Sequence, residues 1–200
     1  EQEQLKPCIF QRISAEYKQA LRRIKFEELF YFQMNLQVLK ADNKSEANGL
    51  MIAYDEQKVA DKIASLPFDL TGGQKRSLSD ILSDMCSGGH MNRLLQGDVG
   101  SGKTIVAVLA LMNTAFAGYQ GAMMVPTEVL ARQQYESIRN MFANAGIDIN
   151  VGLLTGSMTQ SARRKVYDDI KNGTIDIVVG THALIQEKVE YNNLALVITD

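Results

Sequence analysis

Residues 97–104 read Gly97-Asp98-Val99-Gly100-Ser101-Gly102-Lys103-Thr104, with Leu94-Leu95 before them and the apolar run Ile105 to Leu111 after. The three glycines let the backbone turn its N–H groups inward, which a chain carrying Cβ atoms at those places resists. The loop leads straight into a helix, whose first amides and positive end face the same point. A strand, loop and helix of this kind cradles a phosphate, and every fixed position of G-x-x-x-x-G-K-[ST] is filled. Four such positions coincide by chance in roughly one chain in a hundred of this length. In that geometry Lys103 reaches the β- and γ-phosphates and the Thr104 hydroxyl ligates magnesium, so the ligand is a nucleotide triphosphate with Mg²⁺.

This loop restricts the fold to a parallel sheet wrapped in helices, and the rest of the chain agrees. After Pro67, apolar runs at 93–96, 121–125, 151–154, 175–179 and 194–199 alternate with amphipathic stretches at 103–117, 128–145 and 160–171. Thr71 N-caps a further helix carrying Leu78, Ile81, Leu82 and Met85, which Gly88-Gly89 ends. Near-continuous Val/Ile/Leu strands separated by helices predict an α/β fold with both sheet faces covered. The segment before Pro67 differs. From Cys8 to Asn48 there is neither Gly nor Pro, and Ile13, Tyr17, Leu21, Ile24, then Leu29, Phe32, Leu36, Leu39, recur at helical spacing. The spacing predicts one or two helices with a break near Lys25, a polar linker at 43–49 and a short helix at 56–65. Two regions follow, a helical connector over 1–66 and the α/β unit over 67–200.

Leu194-Ala195-Leu196-Val197-Ile198-Thr199-Asp200 is an apolar strand ending in an acid. Beside a phosphate loop, that is how a second magnesium-coordinating carboxylate is delivered. Gln74 carries an amide that can donate to and accept from an adenine edge at once. Lys+Arg number 21 against 23 Asp+Glu, a formal charge of −2. Bulk charge therefore gives no sign of nucleic-acid binding, and any DNA contact must be local. No apolar run reaches the ~20 residues of a membrane span. The start Glu1-Gln2-Glu3-Gln4 lacks the features of a signal peptide, and Cys8 and Cys86 lack metal-ligand spacing. A cytoplasmic protein is expected, and a start without Met and an end directly after a strand predict a piece of a longer one.

The order Leu70-Thr71-x-x-Gln74, GDVGSGKT, Pro126-Thr127-Glu128-Val129-Leu130-Ala131, Leu154-Thr155-Gly156-Ser157, Gly180-Thr181-His182-Ala183-Leu184 and Val197-Ile198-Thr199-Asp200 resembles the first motor lobe of superfamily-two helicases. Within them it is most similar to the RecG family of bacterial helicases of branched DNA. The resemblance covers residues 67–200 closely and 1–66 more loosely, chiefly through Lys25-Phe26-Glu27-Glu28-Leu29. It implies a RecA-like lobe cut at its Walker-B strand, preceded by a connector to a wedge domain. It also implies adenine recognition by Gln74, with Phe68 as a neighbour of the base, and catalytic roles for Lys103 and Asp200. Thr104 and Asp200 would hold Mg²⁺, and Thr127, Thr155, Gly156 and Thr181 would contact DNA phosphates. A second motor lobe, the wedge, branched DNA and a single-stranded-DNA-binding protein are the partners implied.

Two other readings remain open. One is the motor of a duplex translocase of the transcription-repair coupling type, which shares the GDVG-x-GKT loop; the other is a phosphate-loop ATPase acting on protein. The runs Arg163-Arg164-Lys165 and Lys18/Arg22/Arg23/Lys25 read as solvated helix faces, and His90 has no metal partners near it in sequence.

Overall fold

A computed structural model describes residues 2–45, 49–54 and 56–200. The chain divides into two compact units, Glu1–Ala47 and Asn48–Asp200. The first is a single helix, α1, Gln2–Ser45. It runs through Lys25 without the expected break. No Gly or Pro interrupts the helix there, and an i,i+4 pair (Arg23 Nε to Glu27 Oε1, 2.9 Å) ties the turns on either side. Phe26 and Phe30, also four apart, stack with ring centroids 6.0 Å apart.

The second unit runs α2 (Glu56–Ala64), α3 (Gly72–Cys86), α4 (Lys103–Phe116), β1 (Gln120–Met124), α5 (Glu128–Asn144), β2 (Val151–Leu154), α6 (Gln160–Lys171), β3 (Ile177–Gly180), a 3₁₀ turn His182–Ile185, and β4 (Leu194–Thr199). Its four strands lie in the order β2-β3-β1-β4 and all pair in parallel. Successive side chains of a strand point to opposite faces, and both faces are covered over β1, β2 and β3, while β4 leaves Val197 exposed. On one, Met123, Val125, Ile177 and Val179 join the buried residues of α3, α4 and α5. On the other, Ala122, Leu154 and Val178 pack with Ile170 of α6 and with Ala183 and Leu184. This two-sided burial is what near-continuous apolar strands require.

Gln120 closes the sheet at the N-terminal ends of its strands. Its Nε2 donates to the carbonyls of Ile170 (2.9 Å) and Ile175 (2.7 Å), and its Oε1 accepts from the amides of Asn192 (2.9 Å) and Asn193 (3.3 Å). The side chain is buried and fully satisfied.

Two further expectations from sequence change. The chain divides after Ala47 and not at residue 66, because Ile52, Val59 and Leu66 are buried in the α/β core. Ile52 also donates its amide to Met85 O at 3.0 Å. Second, residues 93–96 form no strand. A strand needs a neighbour to take its amides and carbonyls, and among the described residues β4 pairs only with β1. Residues 91–95 and β4 instead line a common cavity, with Arg93 held to Asp84 of α3 at 2.7 Å. Of the linker expected at 43–49, residues 43–45 are the end of α1 and 46–48 lie outside the described residues. Elsewhere element boundaries move by only one or two residues.

Candidate nucleotide site and loop edge

The phosphate loop takes the shape its glycines allow. Gly100 and Gly102 have φ of 82° and 78°, values an L side chain rarely adopts. A Cβ on Gly97 would come within 2.8 Å of Ser101 Oγ, and one on Gly102 would collide with the Gln74 amide nitrogen. Gly102 is the N-cap of α4, and no side chain caps that helix, so its positive end stays open to an anion. The Lys103 ammonium folds back onto the loop and donates to the carbonyls of Gly97 (2.8 Å) and Asp98 (2.9 Å).

Lys103, Thr104 and Asp200 line one cavity of about 730 Å³, walled chiefly by apolar residues of α3, α4, 91–95 and β4; Gly97 to Gly102 border it without lining it. Two features of the fold bring them there. The core of α4, including Val106, Leu109 and Ala110, anchors the helix that starts at Lys103. Asp200 extends the pairing of β4, its amide donating to Met124 O at 2.9 Å. A glycine cradle at positive φ, an uncapped helix start, an ammonium, a hydroxyl and a carboxylate fit a nucleotide triphosphate with Mg²⁺.

Gln74 lies against the loop and not on that cavity. Its Oε1 accepts from Thr71 N (2.9 Å) while its own amide donates to Thr71 Oγ1 (3.3 Å), a reciprocal capping box for α3. Its Nε2 donates to Ser101 O at 2.9 Å. The Thr71-x-x-Gln74 spacing carried this capping role legibly, and the reading of Gln74 as a base contact overlooked it. Phe68 is exposed and likewise not on the cavity.

The remaining sequence candidates gather at the C-terminal edge of the sheet, where loops after parallel strands converge. Thr127, after β1, N-caps α5 by accepting from Leu130 N at 3.3 Å. It is exposed, as is Gly156 after β2. Thr155 and Thr181 are buried. The Thr155 amide donates to Met158 Sδ (3.4 Å), and the Thr181 amide to Leu154 O (3.4 Å). The Thr181 hydroxyl is buried with no hydrogen-bond partner.

Four residues that the sequence reading did not select as contacts, Glu128, Arg132, Ser157 and Arg163, also meet at this edge. Glu128, the first residue of α5, accepts the Ser157 amide on Oε1 (2.9 Å) and the Ser157 hydroxyl on Oε2. The Ser157 hydroxyl above all, and then its amide, the Arg132 charge and the Gly156 amide, hold the Glu128 carboxyl below its usual range against some desolvation. Arg132 Nη2 lies 3.4 Å from Ser157 Oγ. Arg163, which sequence placed on a solvated face, donates to Gly156 O and buries its Nε.

Among the described residues no helix is long and apolar enough to cross a membrane. A search of known proteins places this architecture. The chain is 55% identical over 191 residues to the ATP-dependent DNA helicase RecG of Streptococcus pneumoniae, covering 96% of the chain and 28% of that protein. It is 48% identical over 179 residues to RecG of Aquifex aeolicus, covering 90% of the chain and 22% of that protein. The chain thus spans about a quarter of the length of these relatives. Among solved structures, RecG bound to a three-way DNA junction matches with a TM-score of 0.78 at 46% identity, over 86% of this chain and 23% of that one. The family model described as DEAD/DEAH box helicase matches residues 71–200. That match takes in the phosphate loop, the strand that carries Asp200 and every loop at the sheet edge, and the chain belongs to the DEAD/DEAH box helicase family.

Proposed function

We propose that this chain is the ATP-binding part of the motor of a cytoplasmic, ATP-dependent DNA helicase that remodels branched DNA in recombination and repair. The observation that carries the proposal is the meeting of Lys103, Thr104 and Asp200 on one cavity beside a phosphate loop. The named activity of its relatives, and the junction bound by the RecG structure, give the direction of the chemistry.

In this account the backbone of 97–102 holds the phosphates, and Lys103 leaves its two loop carbonyls for the β- and γ-phosphates. Thr104 and Asp200 would hold Mg²⁺, and the ion would supply charge neutralisation at the phosphates. Gln74 reads adenine once one of its three bonds is released, with Phe68 beside the base. At the sheet edge, Thr127 and Gly156 contact DNA phosphates, and the buried Thr155 and Thr181 shape the loops that present them. A second motor lobe closes over ATP, and a wedge domain splits strands at the branch; a single-stranded-DNA-binding protein is a further partner.

The test is MgATP binding to the wild-type chain and to K103A, D200N and Q74A. K103A should abolish binding. D200N should weaken it in magnesium and leave magnesium-free affinity nearly unchanged, and Q74A should weaken ATP more than inorganic triphosphate. Full MgATP affinity in K103A refutes the site.

A further inference from the structure

β1 and β2 are not neighbours, because β3 lies between them. The loops that follow them have no shared ladder, yet Glu128 joins them. From the first position of α5 it takes both the amide and the hydroxyl of Ser157, across a sequence separation of 29 residues. Arg132, one turn further along α5, points its guanidinium at the same hydroxyl. Arg163 holds the loop from its far side, donating to the carbonyls of Gly156 and Met158.

A carboxylate is a poor choice for a surface that grips phosphates, since like charges repel across short distances. Its presence beside Thr127 makes sense if its charge is spent inward. Here one oxygen faces an N–H and the other an O–H, the helix start adds a positive end, and Arg132 offsets the charge. Gly156 adds a second, independent sign of close fit. Its φ lies outside the left-handed region, so an alanine there is conformationally free, but its Cβ would sit 3.1 Å from Glu128 Oε1.

We propose that Glu128 is a positioning residue that latches the 155–158 loop to the start of α5, so that Thr127 and Gly156 present to a DNA backbone as one rigid unit. The latch rests on the DNA-gripping role proposed above for this edge. Glu128 does not touch the nucleic acid in this account; it acts through Ser157. The conservative variant separates position from charge. Glu128→Gln still accepts from the Ser157 amide and offers its NH₂ to the Ser157 hydroxyl oxygen, whereas Glu128→Ala releases the loop.

The experiment follows ATPase activity of the intact protein as a function of three-way-junction DNA, alongside MgATP affinity. E128A should raise the half-saturating DNA concentration on the order of tenfold, the size expected for losing charge-assisted bonds. It should leave MgATP affinity unchanged, since Glu128 and Ser157 are not on the nucleotide cavity. E128Q should stay within about twofold of wild type. S157A, which leaves Glu128 and the start of α5 intact, should give a smaller rise and supplies the answer if E128A does not fold. A DNA requirement unchanged in both E128A and S157A overturns the latch. A wild-type protein indifferent to DNA overturns the gripping role itself, and the latch with it.

Discussion

Replacing Gly102 by alanine separates two physical demands that the phosphate loop makes on one position. The first is backbone. Gly102 sits at φ 78°, where an L residue costs roughly 1–2 kcal/mol. The second is space, because the new methyl collides with the Gln74 amide nitrogen. Gln74 must then give up its bond to Ser101 O, a further ~1 kcal/mol. G102A should therefore cost the nucleotide-bound form roughly 2–3 kcal/mol in all. Gly100 is the control. Its φ is 82°, but a Cβ there meets nothing within 4 Å, so G100A should cost only the roughly 1–2 kcal/mol of strain.

How each loss divides between stability and affinity depends on whether the loop relaxes without nucleotide. The sum of the two does not, because both legs end at the same bound state. Urea unfolding of the chain gives one leg and calorimetric titration with MgATP the other. If the free loop relaxes fully, G102A should weaken MgATP about 30- to 150-fold and G100A about 5- to 30-fold. In a Q74A background the excess of G102A over G100A should vanish. Equal summed losses for the two alanines, or an excess that survives Q74A, would refute the link between Gln74 and the loop.

Two further outcomes follow from buried groups. Gln120→Leu keeps the volume but strands the Ile175 carbonyl and the amides of Asn192 and Asn193, while Ile170 O keeps its bond from Gly173 N. It should lower stability by about 3 kcal/mol in urea unfolding, and a loss below ~1 kcal/mol would contradict its role in closing the sheet. Burial pushes the Tyr191 hydroxyl from 10.0 to about 12. Its proton is thus kept in the folded state and lost in the unfolded one over that window. Stability should fall as pH rises from 10 to 12, and Tyr191→Phe should flatten that fall; an unchanged slope assigns it to other groups.

How far the sequence carried varies element by element, and the reasons are physical. The helix starts at Lys103, Glu128 and Gln160 were legible because Gly102, Thr127 and Thr159 stop or cap the chain locally. β2 and β4 fell at the expected residues because their apolar runs are bounded by polar turns. Residues 93–96 have the composition of a strand, but pairing is a property of the neighbour, and β4 offers its free edge across a cavity. The division after Ala47 escaped notice because the stripe of Val59, Ile63 and Leu66 does not say which core it packs on, and Ile52 stands in a short apolar run, Leu50 to Ala53, with no period.

At the site, the phosphate loop was complete in eight consecutive residues. The hydroxyls at the sheet edge were not so readable. Thr127 and Thr181 each follow a strand and precede a helical turn, yet one is exposed and the other buried. The Glu128–Ser157 pair joins residues 29 apart, beyond the reach of any local pattern.

The most direct test of the account is ATP turnover by the intact protein with no DNA, with linear duplex and with a three-way fork, using K103A as the blank. The account predicts low turnover without DNA and markedly stronger stimulation by the fork than by the duplex. Equal stimulation by both would point to a general duplex translocase, and turnover indifferent to either DNA would contradict the account.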